Sequence, residues 1–354
     1  MGPSGPGPLP GRAAARQGAG AGWAGARLKP GPRAAPALGV GRAENREGKR
    51  AGPHRKGSEG RGVEGQILRG VGGFYTVMDQ AGRCYTLRAQ AKLRRQRLTP
   101  LVGDYVRFTL GEGEENSWLT AILPRRNSLV RPAVANIDYL VITLSAGFPK
   151  ADLLLADRLL LLCRQAGISP LVAVNKAEED PQGALALAQQ YRGGAAGTFV
   201  LSAATGQGVE ALGEALGGTV HAFGGQSGVG KSTLINRLYG LELSTGALSE
   251  KIDRGKHTTR HTQLIQVPGG GKVLDTPGFS LLEMKTMDPA ELAGLYPEFQ
   301  PYGDKCRFQP CAHYKEPGCA VKEAVEAGLV SGERHGRYCE LYEEMRERWR
   351  ERYD

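Results

Sequence analysis

The sequence predicts a mixed α/β fold in three parts: a small β-barrel, a doubly wound and mainly parallel sheet, and a compact helical module at the C-terminus. Three observations predict it. Short apolar runs with turn residues between them fill residues 64–126, the spacing of a small barrel. From 139 to 275 apolar runs alternate with helical stretches, the pattern of a parallel sheet wrapped by helices. Three cysteines and a histidine then crowd into residues 306–319. The parts divide at 63–126, 127–283 and 284–354, behind a tail of residues 1–62.

The tail explains the charge. The 354-residue chain carries a formal +10, and residues 1–62 hold 12 Lys and Arg against 3 Asp and Glu. Almost the whole excess sits there, so the remainder is nearly neutral. Gly, Ala, Pro and Arg dominate the tail, and its few β-branched and aromatic side chains cannot offset the entropy of ordering it, so it is expected to stay disordered. A basic RNA-contacting arm, an organellar transit segment and sequence translated upstream of a start near Val63 all fit; transit peptides are Ser-rich, and this stretch is not. No apolar stretch is long enough to cross a membrane, so a soluble protein is expected.

Strands are expected over 66–69, 74–78, 83–87 and 105–109. Among them Arg88, Lys92, Arg94, Arg95 and Arg97 form a basic cluster that would attract phosphates in a salt-dependent way, although a solvated face is the ordinary use of such a run. The sheet begins at 139–144, followed by an amphipathic helix over 152–165. The run 171–174 ends in Asn175-Lys176, at the carboxyl end of a buried strand, where open α/β sheets bind ligands. Asn-Lys followed two residues later by a carboxylate reads guanine, the acid accepting from N1 and N2. That position is Glu178, one methylene longer than the usual Asp, so guanine preference is expected with a longer reach. After the strand 198–201, Ser202 and Ala203 supply the backbone that would meet guanine O6.

Next comes Gly225-Gln226-Ser227-Gly228-Val229-Gly230-Lys231-Ser232, which fits G-x-x-x-x-G-K-[ST], with an apolar run at 219–223 before it and a helical stretch from Thr233 after it. Its backbone N–H groups would converge on the β-phosphate of a nucleotide at a helix N-terminus. Lys231 would reach the β- and γ-phosphates and the Ser232 hydroxyl would ligate Mg²⁺. Strands at 262–267 and 271–274 lead to Asp275-Thr276-Pro277-Gly278, which matches DxxG: Asp275 would hold Mg²⁺ through water and the Gly278 N–H would sense the γ-phosphate. In most GTPases the phosphate loop comes first and the Asn-Lys motif near the end. Here the Asn-Lys motif comes first, so the domain is circularly permuted.

A switch segment is expected at 255–260, where Thr258 or Thr259 would ligate Mg²⁺ and γ-phosphate. Many GTPases carry a water-orienting Gln after DxxG; this chain has Phe279, and an apolar ring cannot orient water. His257 in the switch is the best-placed polar substitute, as a catalytic group beside Lys231. Two rivals stay open: a nucleotide switch without turnover, and an ATPase or kinase on the same loop, against which Asn175-Lys176 argues.

Cys306-x4-Cys311-x-His313-x5-Cys319 supplies enough ligands for a closed tetrahedral Cys₃His site, structural in kind. Disulfides are the competing reading, but no secretory signal is present and nucleotide enzymes work in reducing compartments. Cys84, Cys163 and Cys339 have no ligand-like neighbours in sequence and read as small buried or half-buried apolar groups. Ser331 is placed to cap a last helix whose Tyr338, Leu341, Tyr342, Met345 and Trp349 share a face.

From about residue 64 onward the chain resembles the circularly permuted, ribosome small-subunit-dependent GTPase A family. The likeness rests on Gly225 to Thr233, Gly255 to Thr259, Asp275 to Phe279 and the cysteine block. It implies an N-terminal OB-fold that binds rRNA, a permuted GTPase core and a zinc domain with one structural Zn²⁺ on Cys306, Cys311, His313 and Cys319. It also implies a Mg²⁺–GTP enzyme of late small-subunit maturation, stimulated by that subunit. A cytoplasmic monomer is expected. The few residues between the γ-phosphate motif and the C-terminal module suggest that the GTP state sets that module's orientation.

Overall fold

The computed structural model describes residues 62–96, 98–111, 113–241, 262–275 and 287–351. Expectations for the tail up to residue 61, for Arg97, for the 255–260 switch with His257, Thr258 and Thr259, and for Gly278 and Phe279 lie outside the described residues.

The first part is a closed barrel of β1 (Val63–Val71), β2 (Phe74–Asp79), β3 (Cys84–Ala89), β4 (Tyr105–Gly111) and β5 (Gly113–Ile122), with a short α1 (Ala91–Arg95) after β3. The order β1-β2-β3-β5-β4 closes where β1 pairs antiparallel with β4, Val63 opposite Phe108. Ile67, Val77, Leu87, Leu93, Val106, Phe108 and Leu119 fill it. Alternation decides the fate of Cys84, which was expected to be at least half-buried. Leu87 points inward, so Cys84, Thr86 and Arg88 take the outer face, and Cys84 is exposed. On that face the Arg88 guanidinium lies 4.4 Å from the Phe74 ring centre. Lys92 and Arg95 project from α1 into solvent.

A linker with two-residue strands β6 (Ser128–Leu129) and β7 (Val134–Ala135) leads on. Asn136 ties it back to the barrel, its Nδ2 donating to the Gly103 carbonyl at 3.0 Å. The central sheet follows: β8 (Tyr139–Ser145), α2 (Leu153–Ala166), β9 (Ser169–Asn175), α3 (Pro181–Gln190), β10 (Gly197–Val200), α4 (Val209–Leu216), β11 (Val220–Gly224), α5 (Lys231–Tyr239), β12 (Gln263–Gln266) and β13 (Lys272–Asp275). Spatial order is β10-β9-β8-β11-β13-β12, parallel except for β12. Each side chain of a buried strand goes to one face or the other. Leu140, Ile142, Val172 and Val174 pack under α2 and α3, whereas Val141, Leu171 and Ala173 pack under α4 and α5.

Two features of this sheet position the site. The chain runs outward from β8 to β9 and β10, then returns to lay β11 on the other side of β8. That reversal opens a crevice at the carboxyl ends of β8 and β11. The return itself is short, with residues 217–219 alone joining α4 to β11. At the far edge β12 pairs with β1, Arg69 opposite Gln263, so among the described residues one eleven-stranded sheet runs from the central domain into the barrel.

The C-terminal part has two 3₁₀ turns (Pro289–Leu295 and Pro297–Phe299), α6 (Gln300–Gly303), α7 (Ala320–Glu326) and α8 (Gly332–Arg350). Ser331 caps α8 as expected, its Oγ accepting from the Arg334 N–H at 3.3 Å. Tyr338, Leu341 and Met345 are buried, and Tyr342 and Trp349 half-buried. This core includes Leu161 of α2. Asp157 of α2, fully buried, accepts from Arg334 Nη1 and Arg337 Nε of α8, each at 2.5 Å. Burial works against the Arg334 charge, yet Asp157 and Glu298 beside it hold its pKa above the ordinary value.

Candidate nucleotide site and metal centre

Asn175 ends β9 with its side chain buried, where an unpaired amide would be costly. Both of its ends are used: Nδ2 donates to the Val229 carbonyl at 2.9 Å and Oδ1 accepts the Ala203 N–H at 2.9 Å. One amide thus joins three segments that lie far apart in the chain. Glycine is required at 230 for the same reason, since a Cβ there would stand 2.4 Å from Asn175 Nδ2 and φ is +91°. Ser202 is buried beside this junction, its Oγ accepting from the Thr205 N–H at 3.0 Å.

Residues Gly225 to Gly230 form the loop between β11 and α5, with Lys231, Ser232 and Thr233 in the first turn of the helix. The helix N-terminus therefore opens into the crevice, an anion-favouring position. Lys231 folds back and donates from Nζ to the Gly225 and Gln226 carbonyls at 2.8 and 2.5 Å. Burial of the ammonium lowers its pKa to about 8. Gln226 also faces outward, its Oε1 accepting the Asp152 N–H at 3.0 Å, and Asp152 caps α2. Asp275 ends β13, next to β11 and at the same edge of the sheet, and accepts from Gln263 Nε2 at 3.2 Å.

Lys176 follows Asn175 with φ of +60°, rare for a residue bearing Cβ. Its ammonium donates to the Phe148 carbonyl and lies 3.9 Å from Glu179 Oε1. Glu178 projects into solvent. The next acid, Glu179, has a contact that the motif did not foretell: its Oε2 accepts the Phe148 N–H at 3.0 Å. Only the topology, which brings the end of β8 beside the end of β9, could reveal it.

In the C-terminal part Cys306, Cys311, His313 and Cys319 direct one ligand atom each to a common centre, all within 4.8 Å of one another. His313 Nδ1 is 3.5 Å from Cys306 Sγ and 3.4 Å from Cys319 Sγ, and the two sulfurs are 3.9 Å apart. A tetrahedral Zn²⁺ with bonds of about 2.3 Å to S and about 2.0 Å to N demands edges of about 3.8 and about 3.5 Å, which the three edges among Cys306, His313 and Cys319 match. None of the six cysteines is paired, and the Cys306 and Cys319 sulfurs, 3.9 Å apart, stand well beyond the length of an S–S bond. Burial, with the neighbouring sulfurs adding to it, pushes the Cys311 thiol up to about 12. The ligand loop is anchored from α8, where the Tyr338 hydroxyl donates to the Ala312 carbonyl and His335 Nε2 lies 2.8 Å from the His313 carbonyl. Cys163 is buried and Cys339 half-buried, the latter 3.9 Å from the His335 ring.

Known proteins match this arrangement. The RsgA GTPase family model covers residues 122–285 and the RsgA N-terminal domain model residues 64–117. A small ribosomal subunit biogenesis GTPase RsgA from Ruminiclostridium cellulolyticum is 40% identical over 286 residues, 80% of this chain and 94% of that protein. Its namesake from Moorella thermoacetica is 42% identical over 285 residues, 80% of this chain and 97% of that protein. Among solved structures, YjeQ from Thermotoga maritima superposes with a TM-score of 0.69 at 30% identity, covering 80% of this chain and 99% of that one. YloQ, titled a circularly permuted GTPase, gives 0.68 at 33%, covering 83% and 99%.

Proposed function

The chain belongs to the RsgA GTPase family, and from that premise we propose that it hydrolyses GTP as an assembly factor in late maturation of the small ribosomal subunit, which stimulates its turnover. The observation that carries the reading is the Asn175 amide, bonded at once to Val229 of the phosphate loop and to Ala203. Base recognition and phosphate binding then belong to one pocket. Within it Asn175, Lys176 and Glu178 would read guanine with the Ala203 N–H beside them. Residues Gly225 to Thr233 would cradle the phosphates, and Ser232 and Asp275 would hold Mg²⁺, which neutralises charge developing on the β- and γ-oxygens. His257 is assigned the orientation of the attacking water and Thr258 or Thr259 the closure over the γ-phosphate.

The Cys₃His set would hold one structural Zn²⁺, supported by its donor chemistry and edge lengths. Arg88 on the outer barrel face and Lys92 and Arg95 on α1 support rRNA contact, with Arg94 and Arg97 added by sequence. No helix among the described residues is long and apolar enough to cross a membrane; a cytoplasmic monomer is the proposed working form.

The test is GTP turnover with and without purified small subunits. A low rate that rises sharply with subunits is expected, and a flat rate would leave only a binding switch. Replacing His257 with Ala should lower the stimulated rate by about 10²-fold or more with GTP affinity nearly intact; an unchanged rate removes its role.

A further inference from the structure

Beyond the residues that the motifs name, the geometry points to Glu179 as a positioning residue of the base-reading corner, an inference that rests on the nucleotide site proposed above. The strap that leaves β8, residues 146–150, lies at the crevice between β8 and β11. Both backbone polar groups of its Phe148 are held: Glu179 Oε2 accepts the N–H at 3.0 Å and the Lys176 ammonium donates to the carbonyl. Both grips come from the turn after Asn175. The next residue, Pro149, rests on the phosphate loop, since a Cβ added at Gly228 would meet it at 3.3 Å. Glu179 thus ties the base-reading turn to the strap, and the strap buttresses the loop.

Close approach at Gly147 shows how tightly the carboxylate is seated. A Cβ there would stand 1.7 Å from Glu179 Oε2, so any larger residue must push the carboxylate aside. The Lys176 backbone at φ +60° costs on the order of 1 kcal/mol for a residue with Cβ, so the turn relies on contacts of this kind to hold it. The ion pair itself is not the source of the effect. The Glu179 side chain is 44% exposed and its nearest distance to Lys176 Nζ is 3.9 Å, so Coulomb attraction there is weak. What Glu179 supplies is an acceptor at one fixed point, which keeps the strap and the Lys176 side chain from wandering before a purine arrives.

Binding of a fluorescent GDP analogue to the full chain tests this, with GTP turnover measured alongside. E179A should weaken GDP binding about tenfold, the loss of one positioned hydrogen bond to a charged group, and raise KM with kcat nearly constant. E179Q keeps an oxygen facing the Phe148 N–H and should restore most of the affinity. G147A should reproduce the E179A defect by displacing the carboxylate, and the double variant should be no weaker than E179A, because both act on one contact. G147A also carries the test if E179A folds poorly, as judged by its thermal midpoint without nucleotide. Wild-type affinity in E179A or G147A, or E179Q as weak as E179A, overturns the assignment. K231A is the separate control: if it still binds GDP tightly, the proposed nucleotide site is wrong, whereas a K231A that no longer binds GDP, together with a normal E179A, rejects Glu179 alone.

Discussion

At the residue scale, two titratable groups, Lys231 half-buried and His221 fully buried, give signed expectations. Lys231 has a pKa of about 8 while it rests on its own loop's carbonyls, and burial is the cause. A phosphate beside it favours the charged form and raises that value. Nucleotide binding above pH 8 must then draw a proton from solution, and affinity must fall as pH rises through about 8. Calorimetry at pH 8.5 in buffers of different ionisation enthalpy should show the uptake; K231R, always charged, should abolish it. His221 on β11 is different. It is buried between Thr219 Oγ1 at 3.1 Å and the Tyr239 hydroxyl at 2.6 Å, and burial lowers its pKa to about 4. The unfolded chain therefore binds a proton that the folded chain refuses between pH 6.5 and about 4. Stability is unaffected above 6.5 and declines as pH falls through that window, by up to about 3 kcal/mol. Urea midpoints at pH 7 and 4.5 should converge for H221Q relative to the native protein, and parallel pH profiles would refute this role.

At the scale of elements, α2 carries more than the sequence suggested. Its cap residue Asp152 touches the phosphate loop through Gln226, and Asp157, about one turn along, is locked to Arg334 and Arg337 of α8. The C-terminal module is thus held by a rigid helix from the nucleotide crevice. The link expected through the few residues after Asp275 lies outside the described residues. D157N would leave two guanidinium groups facing a neutral amide, one of them fully buried, and should cost about 3–5 kcal/mol in urea denaturation. A loss below about 1 kcal/mol would mean that solvent reaches the pair. If α2 transmits nucleotide state, affinity for small subunits should differ between a GTP analogue and GDP. Equal affinities would end that idea.

At the scale of the whole molecule, what the sequence made legible is what depends on local pattern. The alternating strands 66–69, 74–78 and 105–109, the helix ahead of Asn175, the Ser331 cap and the four metal-site residues all sit where spacing put them. Contacts between distant segments were not legible. Nothing local in Asp157 or Arg334 marks them as partners, and Glu179 reads as one acid in the run Glu178-Glu179-Asp180 until the fold brings Phe148 beside it. The strand β5 was missed because Glu114, Glu115, Asn116 and Ser117 mask its β-pattern, and Cys84 was misplaced by composition where alternation decides. The continuation of the sheet from β12 into β1 likewise depends on an edge that only the assembled barrel presents.

The three-residue return from α4 to β11 has a practical corollary. Only residues 217–219 cross there, two of them glycines, while the halves on either side share the whole interior of the sheet, β8 lying against β11. A gene cut at this point should yield two polypeptides, each incomplete alone, that find one another when made together and rebuild a working pocket from separate molecules. Co-purification of an untagged 219–354 half on a tagged 62–218 half, with guanine nucleotide retained, is the expected result.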